Sequence, residues 1–334
     1  MTDHEALMRR AIAMAETARL VARPNPWVGA VLTCTDGSVF EGATRAPGQA
    51  HAEIVALEAA RTAGAPTEGA TLHCTLEPCS HHGRTGPCTE AIVAAGVARV
   101  IVGIVDPDPR VAGTGLAALR SAGIDVTVGV CADEVNNQLA PYLHHRRTRR
   151  PFVVLKMAST LDGRSALPDG PRWITGPTAR RRVHELRAES DAIVVGRGTV
   201  ESDDPMLTVR DAPGPSPRRI VLTRTHDVPA EAKVQPCLQW HDGLEDLLDM
   251  LGSEGCLQLL VEGGPRVAGA FHDAGLIDRY VFHVAPTLSG DTRAPGLFAN
   301  ERASLRRFVM SSTNRFGDDI EVVLEPAREK VSAP

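Results

Sequence analysis

A chain of 334 residues is long enough for two domains of about 150 residues each, and a composition of 43% apolar, 23% charged and 4% aromatic residues is that of an ordinary globular protein. The scarcity of aromatics and the net charge of -5 exclude a stacking platform for single-stranded nucleic acid and a basic field that would draw in a polyanion. No apolar run reaches the roughly 20 residues that span a bilayer, the N-terminus lacks the pattern of a signal peptide, and seven cysteines suit a reducing cytoplasm better than a disulfide framework.

Apolar side chains at helical spacing (Leu7, Ile12, Met14, Leu20, Val21) predict a helix over 4–22, stopped by Pro24. Pro24-Asn25-Pro26-Trp27 then reads as a rigid turn feeding a buried strand through Val31 and Leu32. Asn25 either caps that turn or offers its amide to the Watson–Crick edge of a pyrimidine. His51 opens a helix through Arg61, and residues 71–76 form a short strand whose end delivers Cys79. His73 and Cys74 alternate along that strand as packing residues.

The stretch from His51 to Cys88 has the parts of a zinc-dependent deaminase. Hydrolytic zinc needs three protein ligands and one open position for water. His51, Cys79 and Cys88 would supply an imidazole and two thiolates, with Cys88 at a helix N-terminus whose dipole lowers a thiol's pKa. Eight residues separate the two cysteines, and the Gly and Pro among them allow a loop to return Cys88 to the metal. Glu53 stands two residues past the histidine, a spacing that does not share a helix face, so it is read as the proton carrier rather than a ligand. The competing reading is a closed structural zinc site with His81 or His82 as fourth ligand. Such a site has no use for Glu53.

A helix at 88–95, a strand at 99–105, a helix at 114–122, a strand at 124–130 and a helix at 132–143 follow. This alternation predicts a parallel-rich sheet covered on both faces. Asp106-Pro107-Asp108-Pro109 ends a strand and reads as a simple turn, with reach to the active-site rim as the alternative. The basic run 144–150 reads as a solvated domain junction, with phosphate binding as the alternative.

The second half restarts with a strand at 152–157 and a helix at 177–189 with Pro177 in its first turn. A strand at 192–195 ends in Gly196-Arg197-Gly198-Thr199, and the Pro- and Gly-rich segment 211–218 reads as a loop. Then come a strand at 219–222, a helix near 243–251, a strand at 257–261 running into Glu262-Gly263-Gly264-Pro265, a helix at 266–274, and strands near 279–285 and 320–325. Two strand ends with glycine turns suit a bound diphosphate, although neither is Gly-x-Gly-x-x-Gly.

The whole chain resembles the bifunctional riboflavin-biosynthesis deaminase–reductases. The resemblance rests on Pro24-Asn25-Pro26, His51-Ala52-Glu53 and Thr75-Leu76-Glu77-Pro78-Cys79-Ser80-His81-His82-Gly83-Arg84-Thr85 in the first half. In the second half it rests on Leu161-Asp162-Gly163, Trp173-Ile174-Thr175, Leu186-Arg187-Ala188, Asp203-Asp204-Pro205 and Val261-Glu262-x-Gly264-Pro265. It implies an α/β chain of two domains: a cytidine-deaminase-like three-layer α/β/α domain over 1–146, then a dihydrofolate-reductase-like α/β domain over 150–327. It implies zinc and NADPH as cofactors and a pyrimidine ribosyl phosphate as substrate, deaminated and then reduced to the ribityl compound, with no nucleic acid or membrane partner. By motif, Asn25 would touch the deaminase substrate, and Arg187, Leu207, Arg210 and Glu262 the reductase substrate, with an arginine fork on the 5′-phosphate. Ala158, Trp173, Thr199, Asp203 and Arg224 would line the nicotinamide cofactor, together with Gly264, Pro265, Arg266, Val267, Ala268, Gly269 and Ala270. Lys156 and Asp203 are candidate polar helpers in reduction. A homo-oligomer in the cytoplasm is the expected assembly. Four positions depart from the family pattern: Thr44, Ala50, Gly86 and Pro171.

Overall fold

The computed structural model describes residues 3–82, 86–109, 111–167, 170–224, 226–299 and 306–327, so Gly83, Arg84 and Thr85 of the first motif lie outside the described residues. The chain divides into two compact units, Met1–Arg149 and Arg150–Pro334.

In the first unit, β1 (Gly29–Thr33), β2 (Val39–Ala43), β3 (Thr71–Leu76), β4 (Arg99–Ile104) and β5 (Asp125–Val128) form one sheet in the order β2-β1-β3-β4-β5. The three strands β3, β4 and β5 are parallel, whereas β1 runs antiparallel to both neighbours. The sheet is thus mixed, because β1 turns back through a hairpin into edge strand β2 before α2 leads into β3. Helix α1 (Asp3–Ala18) sets Met8 and Ala11 against Val31 and Ile101 on one face. It comes so close that a Cβ on Gly29 would meet the Ala11 carbonyl oxygen at 1.8 Å. Helix α2 (Ala52–Thr62) covers the other face, where a Cβ on Gly42 would meet the Ala52 oxygen at 2.1 Å. With both faces covered, Ala30, Val31 and Leu32 are fully buried.

Helices α3 (Cys88–Ala94) and α4 (Thr114–Ser121) follow as expected. The helix predicted over 132–143 is instead two, α5 (Ala132–Gln138) and α6 (Ala140–Thr148). Pro141 in the first turn of α6 has no N–H to continue the preceding ladder, which breaks the run at Leu139. The basic segment 144–150 continues this helix to the boundary between the two units, as expected of a junction, with Arg147, Thr148 and Arg149 exposed but His145 only 4% exposed.

The second unit holds β6 (Phe152–Thr160), α7 (Pro177–Ala188), β7 (Ala192–Gly196), α8 (Arg197–Asp203), β8 (Arg218–Leu222), β9 (Leu238–Trp240), α9 (Leu244–Ser253), β10 (Gln258–Val261), α10 (Pro265–Asp273), β11 (Arg279–Ala285), β12 (Phe308–Phe316) and β13 (Asp319–Pro326). Its sheet has the order β12-β13-β11-β6-β10-β7-β8-β9. The strands from β11 to β9 are parallel, and β13 pairs antiparallel with both β11 and β12. Along β6 the side chains alternate: Val153, Leu155 and Met157 enter a core with Leu247, Leu251 and Phe271. Lys156, between them, projects from the other face. Among the described residues no helix is long and apolar enough to cross a membrane.

Candidate active site

In the first unit the candidate metal ligands come from two helix starts and one strand end. His51 is the N-cap of α2 and makes no side-chain capping bond, which leaves its ring for other partners. Strand β3 delivers Cys79, and Cys88 begins α3. The intervening loop is closed by the backbone of α3: Thr89 N–H donates to the Cys79 carbonyl at 3.2 Å and Cys88 N–H points at Cys79 Sγ at 3.5 Å. His51 Nδ1 then lies 3.6 Å from Cys79 Sγ and 3.3 Å from Cys88 Sγ, and all three ligand atoms fall within 4.8 Å of one another. A tetrahedral zinc ion with its usual bond lengths would separate nitrogen and sulfur by roughly 3.6 Å. The donor set fits zinc.

Cys79 is pulled down to about 4, first by the Cys88 thiol, which hydrogen-bonds to it, and further by His51. Cys88, as the donor, is pushed up by the same bond and by burial. The Cys88 N–H at the start of α3 faces Cys79 Sγ. His51 is raised, chiefly by its bond to Cys79. Glu53, 3% exposed in the first turn of α2, is raised by burial.

A cavity of about 300 Å³ opens onto these groups, and its wall includes Asn25, Thr44, Glu53, Asp106, Asp108 and Arg146. Asn25 thus faces the site. Thr44 bonds β1 to the end of β2, its Oγ1 accepting from Val28 N–H at 3.1 Å. Gly86 is exposed and outside this wall, and His81 and His82 are both exposed.

Sequence reasoning passed over the rest of the wall. Glu77, 4% exposed, accepts hydrogen bonds from the backbone N–H groups of Asp106, Gly113, Gly115 and Leu116 at 3.3, 2.9, 2.9 and 3.2 Å. It closes the N-terminus of α4 and holds the segment after β4. Asp106 accepts from Tyr142 Oη at 3.0 and 3.2 Å, and Asp106 and Asp108 line the cavity, so of the two readings of 106–109 the one at the site's rim holds over the simple turn. Tyr142, His145 and Arg146 lie on one helix face by their i, i+3, i+4 spacing, a signal masked by the density of positive charge around them.

In the second unit the candidate residues gather at the C-terminal ends of parallel strands, the usual ligand crevice of an open α/β sheet. Ala158 is on β6, Thr199 follows β7, Arg224 follows β8, and Glu262 and Gly264 follow β10. Gly264 caps α10 and Pro265 occupies its first turn, so the helix N-terminus faces the crevice. The turn has no room for larger residues: a Cβ on Gly263 would lie 2.6 Å from Val267 Cβ, and one on Gly196 2.8 Å from Val267 Cγ2. Thr199 Oγ1 would stand 3.7 Å from a Cβ on Gly264, which brings the two glycine turns together. This cradle of close backbone suits a dinucleotide diphosphate. Arg266 and Ala270 are exposed on α10, whereas Ala268 is fully buried in the apolar core and Gly269 is buried beside it. Trp173, 57% exposed, is flanked by the guanidiniums of Arg172 and Arg180 at 5.1 and 5.3 Å, and Arg172 also donates to the Asp203 carbonyl at 2.7 Å. Pro171 and Arg224 are exposed.

Arg187 does not present a free fork. Its Nε and Nη2 donate to the two Glu262 oxygens at 2.8 and 2.7 Å, and Nη1 donates to the Thr208 carbonyl at 3.2 Å. Burial would raise Glu262, but Arg187 and Lys156 outweigh it and hold the carboxylate below its ordinary range. Lys156 is lowered, mainly by burial and also by Arg187. His184 Nδ1 accepts from Arg210 N–H at 3.2 Å, tying the segment 207–210 to α7. Leu207, 3% exposed, holds a left-handed φ of 55°, a conformation that costs energy outside glycine. Arg210 is exposed and its Nη1 donates to Thr208 Oγ1 at 2.8 Å.

Residues 1–104 match the cytidine and deoxycytidylate deaminase zinc-binding region, and residues 151–322 match the RibD C-terminal domain. The chain is 38% identical to the riboflavin biosynthesis protein RibD of Escherichia coli (strain K12) over 95% of its own length and 97% of that protein. It is 38% identical to the RibD of Aquifex aeolicus (strain VF5), covering 85% and 87%. Among solved structures it is similar to Acinetobacter baumannii RibD at a TM-score of 0.88 and 35% identity, covering 97% of this chain and 99% of that one. It is also similar to a diaminohydroxyphosphoribosylaminopyrimidine deaminase/5-amino-6-(5-phosphoribosylamino)uracil reductase of Thermotoga maritima at 0.86 and 32%, covering 97% and 98%. Fold and site together define a two-domain enzyme that joins a zinc deaminase to an α/β reductase. The chain belongs to the RibD family of riboflavin-biosynthesis proteins, and its cofactors are Zn²⁺ and NADPH.

Proposed function

We propose that the first unit hydrolyses the ring amino group of 2,5-diamino-6-(5-phosphoribosylamino)pyrimidin-4-one to ammonia, and that the second reduces the ribosyl group of the product to ribityl phosphate. The observation that carries the deaminase half is the convergence of His51, Cys79 and Cys88, at a cavity lined by His51, Cys79 and buried Glu53. Bound to those three residues, zinc supplies the Lewis acid that makes water nucleophilic at neutral pH. Glu53 then does the proton work. Burial raises its carboxyl, so it accepts a proton from water readily and returns it to the departing amine. Water adds to the amine-bearing carbon, the C–N bond breaks, and ammonia leaves. Asn25 presents an amide to the pyrimidine edge.

In the reductase half, bound NADPH supplies the reducing equivalents. The turn at Gly263 and Gly264 and the start of α10 receive its diphosphate, Ala158, Thr199 and Asp203 border it, and Trp173 offers an exposed face. Lys156 and the Arg187–Glu262 pair form a fixed polar floor under the ribosyl group, which leaves Arg210 as the cation for the phosphate. Leu207, held in its costly conformation, shapes the wall beside Arg210. The domains are read as 1–146 and 150–327. Seven cysteines outside any disulfide, two of them candidate metal ligands, support a cytoplasmic location, and the exposed Val309 and Met310 on edge strand β12 support a homo-oligomer.

Ammonia release and NADPH oxidation, followed separately on the purified chain, test both halves. Glu53→Gln is expected to retain zinc and NADPH oxidation on deaminated substrate while ammonia release falls at least ~100-fold. Normal ammonia release by that variant would remove Glu53 from the mechanism.

A further inference from the structure

The segment between α8 and β8 carries Leu207 and Arg210 but belongs to no helix or strand, so its shape is set by what it touches. Two side chains of α7, three residues apart on one face, hold it. Arg187 Nη1 donates to the Thr208 carbonyl at 3.2 Å, and His184 Nδ1 accepts from the Arg210 N–H, also at 3.2 Å. The second bond fixes the backbone from which the exposed Arg210 guanidinium projects.

An accepting Nδ1 commits the ring. The neutral imidazole then carries its proton on Nε2, which lies 3.3 Å from an Asp211 carboxylate oxygen. A protonated ring has two N–H donors and no acceptor, so it would turn an N–H toward that of Arg210. The charged groups facing His184 are Arg187 on α7, Arg210 and Asp211 on the segment, and Glu262 after β10. Burial comes first in disfavouring its charge, since the residue is 6% exposed, and Arg187 and Arg210 add to it. Asp211 and Glu262 pull the other way without overcoming them, so His184 stays below the ordinary histidine range and the bond is intact at neutral pH.

We propose that His184 is a positioning residue of the reductase: in its neutral form it holds Arg210 where that arginine receives the substrate's phosphate, and on protonation it lets go. This rests on the reading above that Arg210 is the cation for that phosphate. The competing role is packing alone, which would not depend on an acceptor at Nδ1.

The test follows NADPH oxidation by the full-length chain on the deaminated ribosyl phosphate between about pH 7.5 and 5, for the parent, His184→Asn, His184→Ala and Arg210→Ala. KM for NADPH on the same samples checks folding. Asparagine places Oδ1 where Nδ1 stands and accepts the same N–H, but it does not titrate. His184→Ala should raise KM for the ribosyl phosphate roughly 5- to 10-fold at the upper end of that range with little change in kcat, as expected for loss of one hydrogen bond. His184→Asn should match the parent there. The substrate's own phosphate protonates at about pH 6, so KM rises with acid in both, but the parent's rise should exceed that of His184→Asn several-fold. Parallel pH curves for parent and His184→Asn, an asparagine variant as weak as the alanine one, or a loss in kcat rather than KM would overturn the proposal and leave the role of Arg210 standing. Arg210→Ala should raise KM at least as far as His184→Ala. An unchanged KM in Arg210→Ala would overturn the reading of Arg210 and the proposal with it.

Discussion

Glu77 is a residue of the zinc motif that binds no metal, and its replacement should damage the deaminase unit more than any substitution of an exposed residue. Its carboxylate accepts four backbone N–H bonds, two at 2.9 Å from Gly113 and Gly115 and two longer ones from Leu116 and Asp106. Bonds to an ionised acceptor contribute about 1.5–3 kcal/mol each, and the longer pair less. Glu77→Ala would strand all four donors beside a cavity that water can enter, so part of the loss is recovered. We expect a net destabilisation of about 3–5 kcal/mol, or roughly 10 °C in the melting of a unit of this size. The site cannot relax by moving α4 inward, since a Cβ on Gly115 would already meet the Pro78 carbonyl at 2.0 Å. Glu77→Gln keeps one acceptor oxygen but turns an amide N–H toward two donors, and should cost about half as much.

Unfolding would be followed through Trp27, 1% exposed in this unit, with Trp173 and Trp240 replaced by phenylalanine. Zinc content and ammonia release would be measured on the same samples. If Glu77→Ala melts with the parent and deaminates at the parental rate, the role assigned to its carboxylate is wrong.

Two further outcomes concern the reductase. Parent Glu262, held below its ordinary range, contributes stability that is present above about pH 4.3 and lost as pH falls through its folded value. Arg187→Ala leaves burial to raise Glu262, so the variant's contribution should be present at low pH and lost as pH rises, on top of a loss of ~3–5 kcal/mol from breaking a buried pair. Denaturant midpoints across the acid range would show the slope reversing, and parallel curves for parent and variant would argue against it. Gly263→Ala, whose Cβ would lie 2.6 Å from that of Val267, should open the turn before α10, costing ~1–3 kcal/mol and raising KM for NADPH about tenfold. An unchanged KM would detach that turn from the cofactor.

The sequence made legible those features in which a residue's type carried its role. His51, Glu53, Cys79 and Cys88 could be picked out because zinc chemistry constrains both identity and order, and the structure gathers the three ligands. Periodicity located β3, α7 and β10 to within a residue or two. It did not reveal β12, where almost every side chain is exposed and no apolar alternation exists to be read. Nor did it reveal β2, where Gly42 occupies a position that backbone proximity to α2 reserves for a residue without a Cβ. Arg187 shows a different limit. Its place at the site was suggested by motif, but its fork is filled by Glu262, a pairing across 75 residues that no local pattern encodes.

The two units place a glutamate in the same position and treat it in two ways. Glu77 directly follows β3, and Glu262 directly follows β10, both parallel strands whose C-terminal ends face a site. A carboxylate there is buried and must be compensated. Glu77 is compensated by backbone N–H groups, which neither titrate nor move, so it serves as scaffold. Glu262 is compensated by Arg187 and Lys156, charged side chains rather than backbone groups. The same sequence feature, a strand ending in glutamate, thus becomes a structural post in one unit and one half of a buried ion pair in the other. The partner decides which, and partners lie too far along the chain to be read beside it.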